Sequence, residues 1–209
     1  MTAIEPVTIR PPKQQRSRAS YERVLAAAYG LLEENGFEGF TVQEVAARAN
    51  VSVGAIYERF GNKETLLRTV HAQLMERMAQ FESAQSVTES AGAAEVIADL
   101  VRRVAATMGE HRAILRAFMH LGALDEVISA RGSLESIELG RHFKEALMPF
   151  ATEFRHTQPE VALDVAFRVI YSTLARQVMY GPVFESDFEL GWERLTDELV
   201  DVSARYLLR

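Results

Sequence analysis

The 209-residue chain is 48% hydrophobic and 25% charged, a globular balance over a length that can bury a substantial core. It has no cysteine, which excludes a disulfide framework and a thiolate metal site and suits a reducing compartment. The net charge of −6 is unevenly spread: residues 1–70 hold nine Lys/Arg against eight acids, the remainder 14 against 21. A near-neutral front on an acidic body favours local phosphate contact over indiscriminate nucleic-acid binding.

Residues 1–16, with Pro6, Arg10, Pro11, Pro12 and Lys13, lack apolar periodicity. They read as a basic, disordered arm and not as a secretory leader. Alone, such an arm is a solubilising tail. From Ser17 a helical pattern takes over, with Tyr21, Val24, Leu25, Ala28, Leu31 and Leu32 on one face, and it stops at Asn35-Gly36. Thr41 and Glu44 have capping-box spacing, so a second helix starts at Val42. Asn50 suits the left-handed turn that must follow, and Ser52 can cap a third helix, Val53–Phe60. Ile56 and Phe60, four apart, face inward. Ser52, Val53, Ala55, Tyr57 and Arg59 are left along the outer face or flank. This is the layout of a helix-turn-helix, whose second helix enters the major groove.

A helix from Asn62 carries the stripe Leu67, Val70, Leu74, Met78 and Phe81, and a polar stretch covers 83–90. Further helices are expected over Ala93–Thr107 and His111–Leu121, with a short turn at Asp125–Ala130. Gly132-Ser133 should then open a helix to about Phe154. Pro159 suits the first turn of the next helix, which stops at Gly181-Pro182, and the last starts near Phe188. No β pattern appears and no segment resembles a membrane span. The expectation is an all-α protein of about nine helices: residues 17–62 as the DNA-binding domain and 63–209 as a regulatory and dimerisation domain.

The stretch Arg23-Val24-Leu25, Gly36-Phe37, Phe40-Thr41-Val42, Val45-Ala46, Val51-Ser52, Gly54, Ile56-Tyr57, Phe60 and Lys63-Glu64 resembles the TetR family over about residues 18–70. Asn50 departs mildly from the family's usual Gly, and Glu58 falls at a position that varies. The resemblance implies a homodimer that blocks transcription from a palindromic operator until a small ligand releases it. By position it implies DNA contacts from Arg18, Thr41, Val42, Ser52, Val53, Gly54, Ala55, Tyr57, Arg59 and Lys63. Thr41 and Lys63 would meet phosphates at helix starts. Tyr57 would meet phosphate or a base edge, and Val53 and Ala55 thymine methyls. Singly, Thr41 is a cap and Lys63 and Arg59 are solvated charges; their joint placement carries the reading.

In the body, Ala162, Ala166, Val169, Thr173 and Gln177 mark one face of the penultimate helix. Trp192, Leu195, Leu199, Val202 and Tyr206 mark one face of the last. Paired across a two-fold axis they would make a four-helix interface; alternatively they pack within their own subunit. Met78, Met108, Phe118, Met119, His120, Phe143, Phe150 and Tyr171 are candidates for an apolar ligand pocket, each also readable as ordinary core. His142 with Glu138 and Glu145 reads as a solvated face; no metal site, cofactor or catalytic motif is expected. The partners expected are double-stranded DNA, a second copy and a small apolar or amphipathic effector, in the cytoplasm and without a membrane. The alternatives are a ligand-independent regulator or activator, or an architectural or protein-interaction adaptor.

Overall fold

The computed structural model describes residues 15–83 and 92–208. Among these the chain forms nine α-helices: α1 (Gln15–Asn35), α2 (Val42–Ala49), α3 (Val53–Phe60), α4 (Lys63–Ser83), α5 (Ala93–Glu110), α6 (Arg112–Gly122), α7 (Glu126–Leu147), α8 (Pro159–Tyr180) and α9 (Trp192–Leu207). A short 3₁₀ helix, Met148–Glu153, follows α7. No strand occurs among the described residues, where a lone antiparallel bridge joins Phe154 and Leu208. The class is all-α. The expected arm lies outside the described residues as far as Gln14, as do the polar stretch after Ser83 and the side chain of Phe81.

Several helix boundaries differ from expectation. α1 already includes Gln15 and Arg16. α7 runs unbroken through Gly132-Ser133, because Asp125 caps it well upstream, its Oδ1 accepting the amides of Val127 and Ile128 at 3.0 and 3.2 Å. One interior glycine costs a helix only about 1 kcal/mol, too little to break it. The α-helix ends instead at Met148-Pro149, where proline has no N–H to donate back one turn. α9 begins at Trp192 and not near Phe188, whose amide donates to the Ser186 hydroxyl in a local turn (3.1 Å).

Packing divides the chain into two compact units. The first takes the described residues up to Met78 with Ala113–Ser133; the second takes Ala79–Arg112 and Leu134–Arg209. Thus α4 as far as Met78, α6 and the start of α7 cluster with the helix-turn-helix, past the sequence-based boundary at residue 62. In the first unit Tyr21, Leu25 and Leu32 of α1, Val45 and Ala49 of α2 and Ile56 and Phe60 of α3 share one core. Tyr21 and Phe60 stack at 5.8 Å between ring centroids. In the second unit α5 packs on α8 and α9. Trp192 Nε1 donates to the Ala105 carbonyl at 3.1 Å. A Cβ at Gly109 would lie 2.7 Å from that nitrogen, so the close approach requires glycine.

Candidate nucleic-acid interface

Each helix of the motif is held by local side-chain chemistry. Thr41 Oγ1 accepts the Glu44 amide at 3.2 Å and donates to the Glu44 carboxylate at 3.1 Å. Asn50 sits at φ 51°, ψ 55°, and among the described residues it alone of the non-glycines has positive φ. The following amide, Val51, donates to the Ala46 carbonyl at 3.1 Å and closes the turn. Ser52 Oγ accepts the Ala55 amide at 3.1 Å, starting α3. Asn62 Oδ1 accepts the Thr65 amide at 2.7 Å, starting α4. Each such cap contributes roughly 1 kcal/mol. Together they fix the direction of α3, whose buried Ile56 and Phe60 leave Gly54, Ala55, Tyr57 and Glu58 exposed.

The expected contact residues divide into free and engaged groups. Tyr57 is 42% exposed, and Ser52, Gly54 and Ala55 share its open surface, with Val53 half-buried on the flank. Arg18 is exposed and pairs with Glu22 at 3.0 Å. Arg59 instead reaches back to the start of α1, donating to Ser17 Oγ at 2.6 Å and to the Ser17 carbonyl at 3.3 Å. Lys63 Nζ donates to the Phe40 carbonyl at 2.9 Å and lies 5.1 and 5.3 Å from the Phe37 and Phe40 ring centroids. Val42 is buried, so at the start of α2 it offers backbone only. The Thr41 hydroxyl proton is already given to Glu44. Arg59, Lys63 and Thr41 therefore brace the module internally.

The side chains expected to line a ligand pocket fall in both units. In the first, Phe118 is buried, Met78 and Met119 are half-buried and His120 is exposed, against the expectation that it lies among apolar neighbours. The buried histidine is His71 of α4, whose ring lies 4.8 Å from that of Phe118. Burial, then the charge of Arg131, push its pKa down to about 4 against the pull of Asp125. The signal was in the sequence: His71 continues the stripe Leu67, Leu74, Met75. Arg68 Nε donates to Asp125 at 2.9 Å. Burial opposes charge on Asp125, but the Arg68 hydrogen bond and the capped amides outweigh it and hold the pKa below its ordinary value. Arg131 Nε is buried without a hydrogen-bond partner among the described residues. In the second unit Met108 and Phe143 are buried. Phe150 and Tyr171 are half-buried, and burial raises the Tyr171 pKa despite a hydrogen bond with Ser136.

Most of the expected dimer stripe is spent inside the subunit. Ala162, Ala166, Leu195 and Leu199 are buried, and Trp192 is tied to α5. Thr173 is half-buried, Gln177 Nε2 donates to the Leu190 carbonyl at 2.9 Å, and Tyr206 packs on His156 at 4.4 Å. Val169 and Val202 remain outward, at 43% and 50% exposure. The apolar stripe that α8 leaves open is Val161, Val165, Val169 and Tyr180. An offset of one residue turns a helical stripe by about 100°, enough to exchange core for surface. Arg141 pairs with both Glu138 and Glu145, the carboxylates flanking His142. Among the described residues no group of three metal-ligating side chains forms, and no helix is long and apolar enough to cross a membrane.

Two short capped helices joined by a left-handed asparagine, with the second helix's small residues and a tyrosine turned outward, define a helix-turn-helix DNA-binding regulator. Residues 24–70 match the family profile "Bacterial regulatory proteins, tetR family". The fatty acid metabolism regulator protein of Bacillus subtilis is 26% identical over 179 residues, covering 82% of this chain and 84% of that protein. A solved transcriptional regulator from Rhodococcus sp. RHA1 superposes with a TM-score of 0.67 at 18% identity, covering 89% of this chain and 96% of its own. The B. subtilis transcriptional regulator FadR, solved with stearoyl-CoA, superposes with a TM-score of 0.61 at 18% identity, over 88% and 97%. Residues 24–70 thus carry the DNA-binding module of the tetR family profile, and the relatives that the chain matches over most of its length are transcriptional regulators. The family and these relatives are regulators, not enzymes.

Proposed function

We propose that the protein is a homodimeric cytoplasmic repressor, released from an inverted-repeat operator by an amphipathic small molecule of the long-chain acyl-CoA class. Residues 17–62 contact DNA and the remainder senses the effector and pairs the subunits. The observation that carries the DNA half is the outward face of α3, where Gly54 and Ala55 leave the backbone open beside an exposed Tyr57. The effector class is supported by the relative named for fatty acid metabolism and the fold neighbour bound to stearoyl-CoA. The unpartnered Nε of Arg131 is a donor that an acyl carbonyl or an anionic effector group would satisfy.

The test begins with selection from random DNA. The expected product is an inverted repeat with half-sites about 34–36 Å apart, or a multiple of that. Tyr57→Ala should then cost about 1–3 kcal/mol on the selected site. Lys63→Ala should weaken all sequences, and the salt slope becomes shallower by about 1 if Lys63 leaves Phe40 to meet a phosphate. Stearoyl-CoA should bind roughly 5–150-fold more weakly in the presence of operator DNA, since coupling between two sites is reciprocal. Equal affinity in both titrations would remove this effector from the reading.

A further inference from the structure

Four side positions of α3 face solvent, and Glu58 alone among Gly54, Ala55, Tyr57 and Glu58 is charged. Among the described residues it forms no ion pair or side-chain hydrogen bond. Arg59 beside it is turned away to Ser17, and Arg18 is taken by Glu22. A helix that enters a groove walled by phosphates thus carries an unneutralised carboxylate on its open face. Against random DNA that charge is repulsive. The repulsion is offset only where the carboxylate meets a hydrogen-bond donor on a base edge.

The major groove offers two such donors, the N4 amine of cytosine and the N6 amine of adenine. Adenine sets its N7 acceptor beside that amine, facing a carboxylate with another negative group. Cytosine presents the amine without a neighbouring acceptor of its own. Gly54 and Ala55 stand one turn before Glu58. A Cβ at Gly54 would meet nothing closer than the Ser52 hydroxyl, at 3.9 Å, so no bulk keeps this face from the bases. We propose that Glu58 is a specificity-determining residue that accepts a hydrogen bond from a cytosine N4 amine in each half-site and disfavours every other sequence by its charge.

This rests on the DNA-binding reading, and the experiment separates the two. Wild-type protein, Glu58→Ala and Glu58→Gln are each used to select binding sites from random DNA, and affinities are measured on the products and on random duplex. Glu58 is exposed, so both variants should fold, which their melting temperatures check. The wild type should fix one C·G pair per half-site, worth about fivefold or more against the other bases. In Glu58→Ala that preference should vanish while affinity for random duplex rises, most at low salt. In Glu58→Gln it should move toward adenine, because an amide donates to N7 and accepts from N6. If all three proteins select the same base at every position, Glu58 does not read the groove and the inference falls, with the regulator reading intact. If the wild type selects no sequence at all, the regulator reading falls first.

Discussion

His71 is 4% exposed, packed with its ring tilted against that of Phe118, and neutral. Its folded-state pKa of about 4 lies below the ordinary 6.5, so below pH 6.5 the unfolded chain takes up a proton that the native state refuses. The contribution to stability is therefore complete above pH 6.5, lost as the pH falls from about 6.5 to about 4, and constant below. Two and a half pH units amount to about 3 kcal/mol. Thermal melts of wild type and His71→Leu across pH 4–7 check this: the wild type should lose stability relative to the variant as the solution is acidified. A gap between the two proteins that does not change with pH would show that His71 is not the group responsible. The same residue shows where side-chain-level reading stops. The helical period separates His71, which continues the stripe of Leu67, Leu74 and Met75, from His120, but only packing shows how completely His71 is enclosed.

At the scale of elements, what is local was legible. Thr41 and Ser52 accept amides three positions on, and Asn50 takes the left-handed turn with its own amide donating back to Ala46 and Ala47, so chemistry and spacing alone locate α2, the turn and α3. The start of α7 depends on a longer reach. Asp125 caps that helix with one oxygen while its carboxylate holds Arg68, 57 positions away on α4, and no local pattern announces such a pair. Asp125→Ala removes cap and counter-ion together and leaves Arg68 part-buried and uncompensated. Its cost should be about 3 kcal/mol, read from the denaturant midpoint at unchanged slope. Asp125→Asn keeps the capping oxygen and loses the charge, so it should fall between alanine and wild type. If the two variants are equally destabilised, the cap contributes nothing and the ion pair accounts for the whole effect. The misread break at Gly132-Ser133 has the same origin: a weak local breaker is overridden by a helix fastened at Asp125.

Over the whole molecule, the limit of sequence reading is set by α8. Its apolar residues lie on two stripes, and the 3.6-residue period fits both. Ala162, Ala166, Ile170 and Leu174 turn inward, whereas Val161, Val165, Val169 and Tyr180 stay open. The exposed positions 161, 165, 169, 172 and 180, with half-buried Arg176 between the last two, are spaced four, four, three, four and four, the same read from either end. A two-fold contact needs that property, because residue i must meet j while j meets i. Antiparallel pairing centred between Val169 and Ser172 would set Val161 of one copy against Tyr180 of the other and bring the two short side chains to the axis. The proposed dimer therefore uses this stripe with Val202 of α9, and Leu199, a core residue here, is no clean probe of it. Val169→Asp is the better one: the side chain is outward in the subunit, so each chain keeps its fold, but two carboxylates would be buried unpaired close to the axis, each opposite the small Ser172 of the other copy. Light scattering at micromolar concentration should give about twice the 23.4 kDa chain mass for wild type and about one chain mass for Val169→Asp, with nearly unchanged helix content by circular dichroism. Operator affinity should fall with the mass, since one half-site then binds alone. A Val169→Asp protein that keeps the dimer mass would place the two-fold contact on another face.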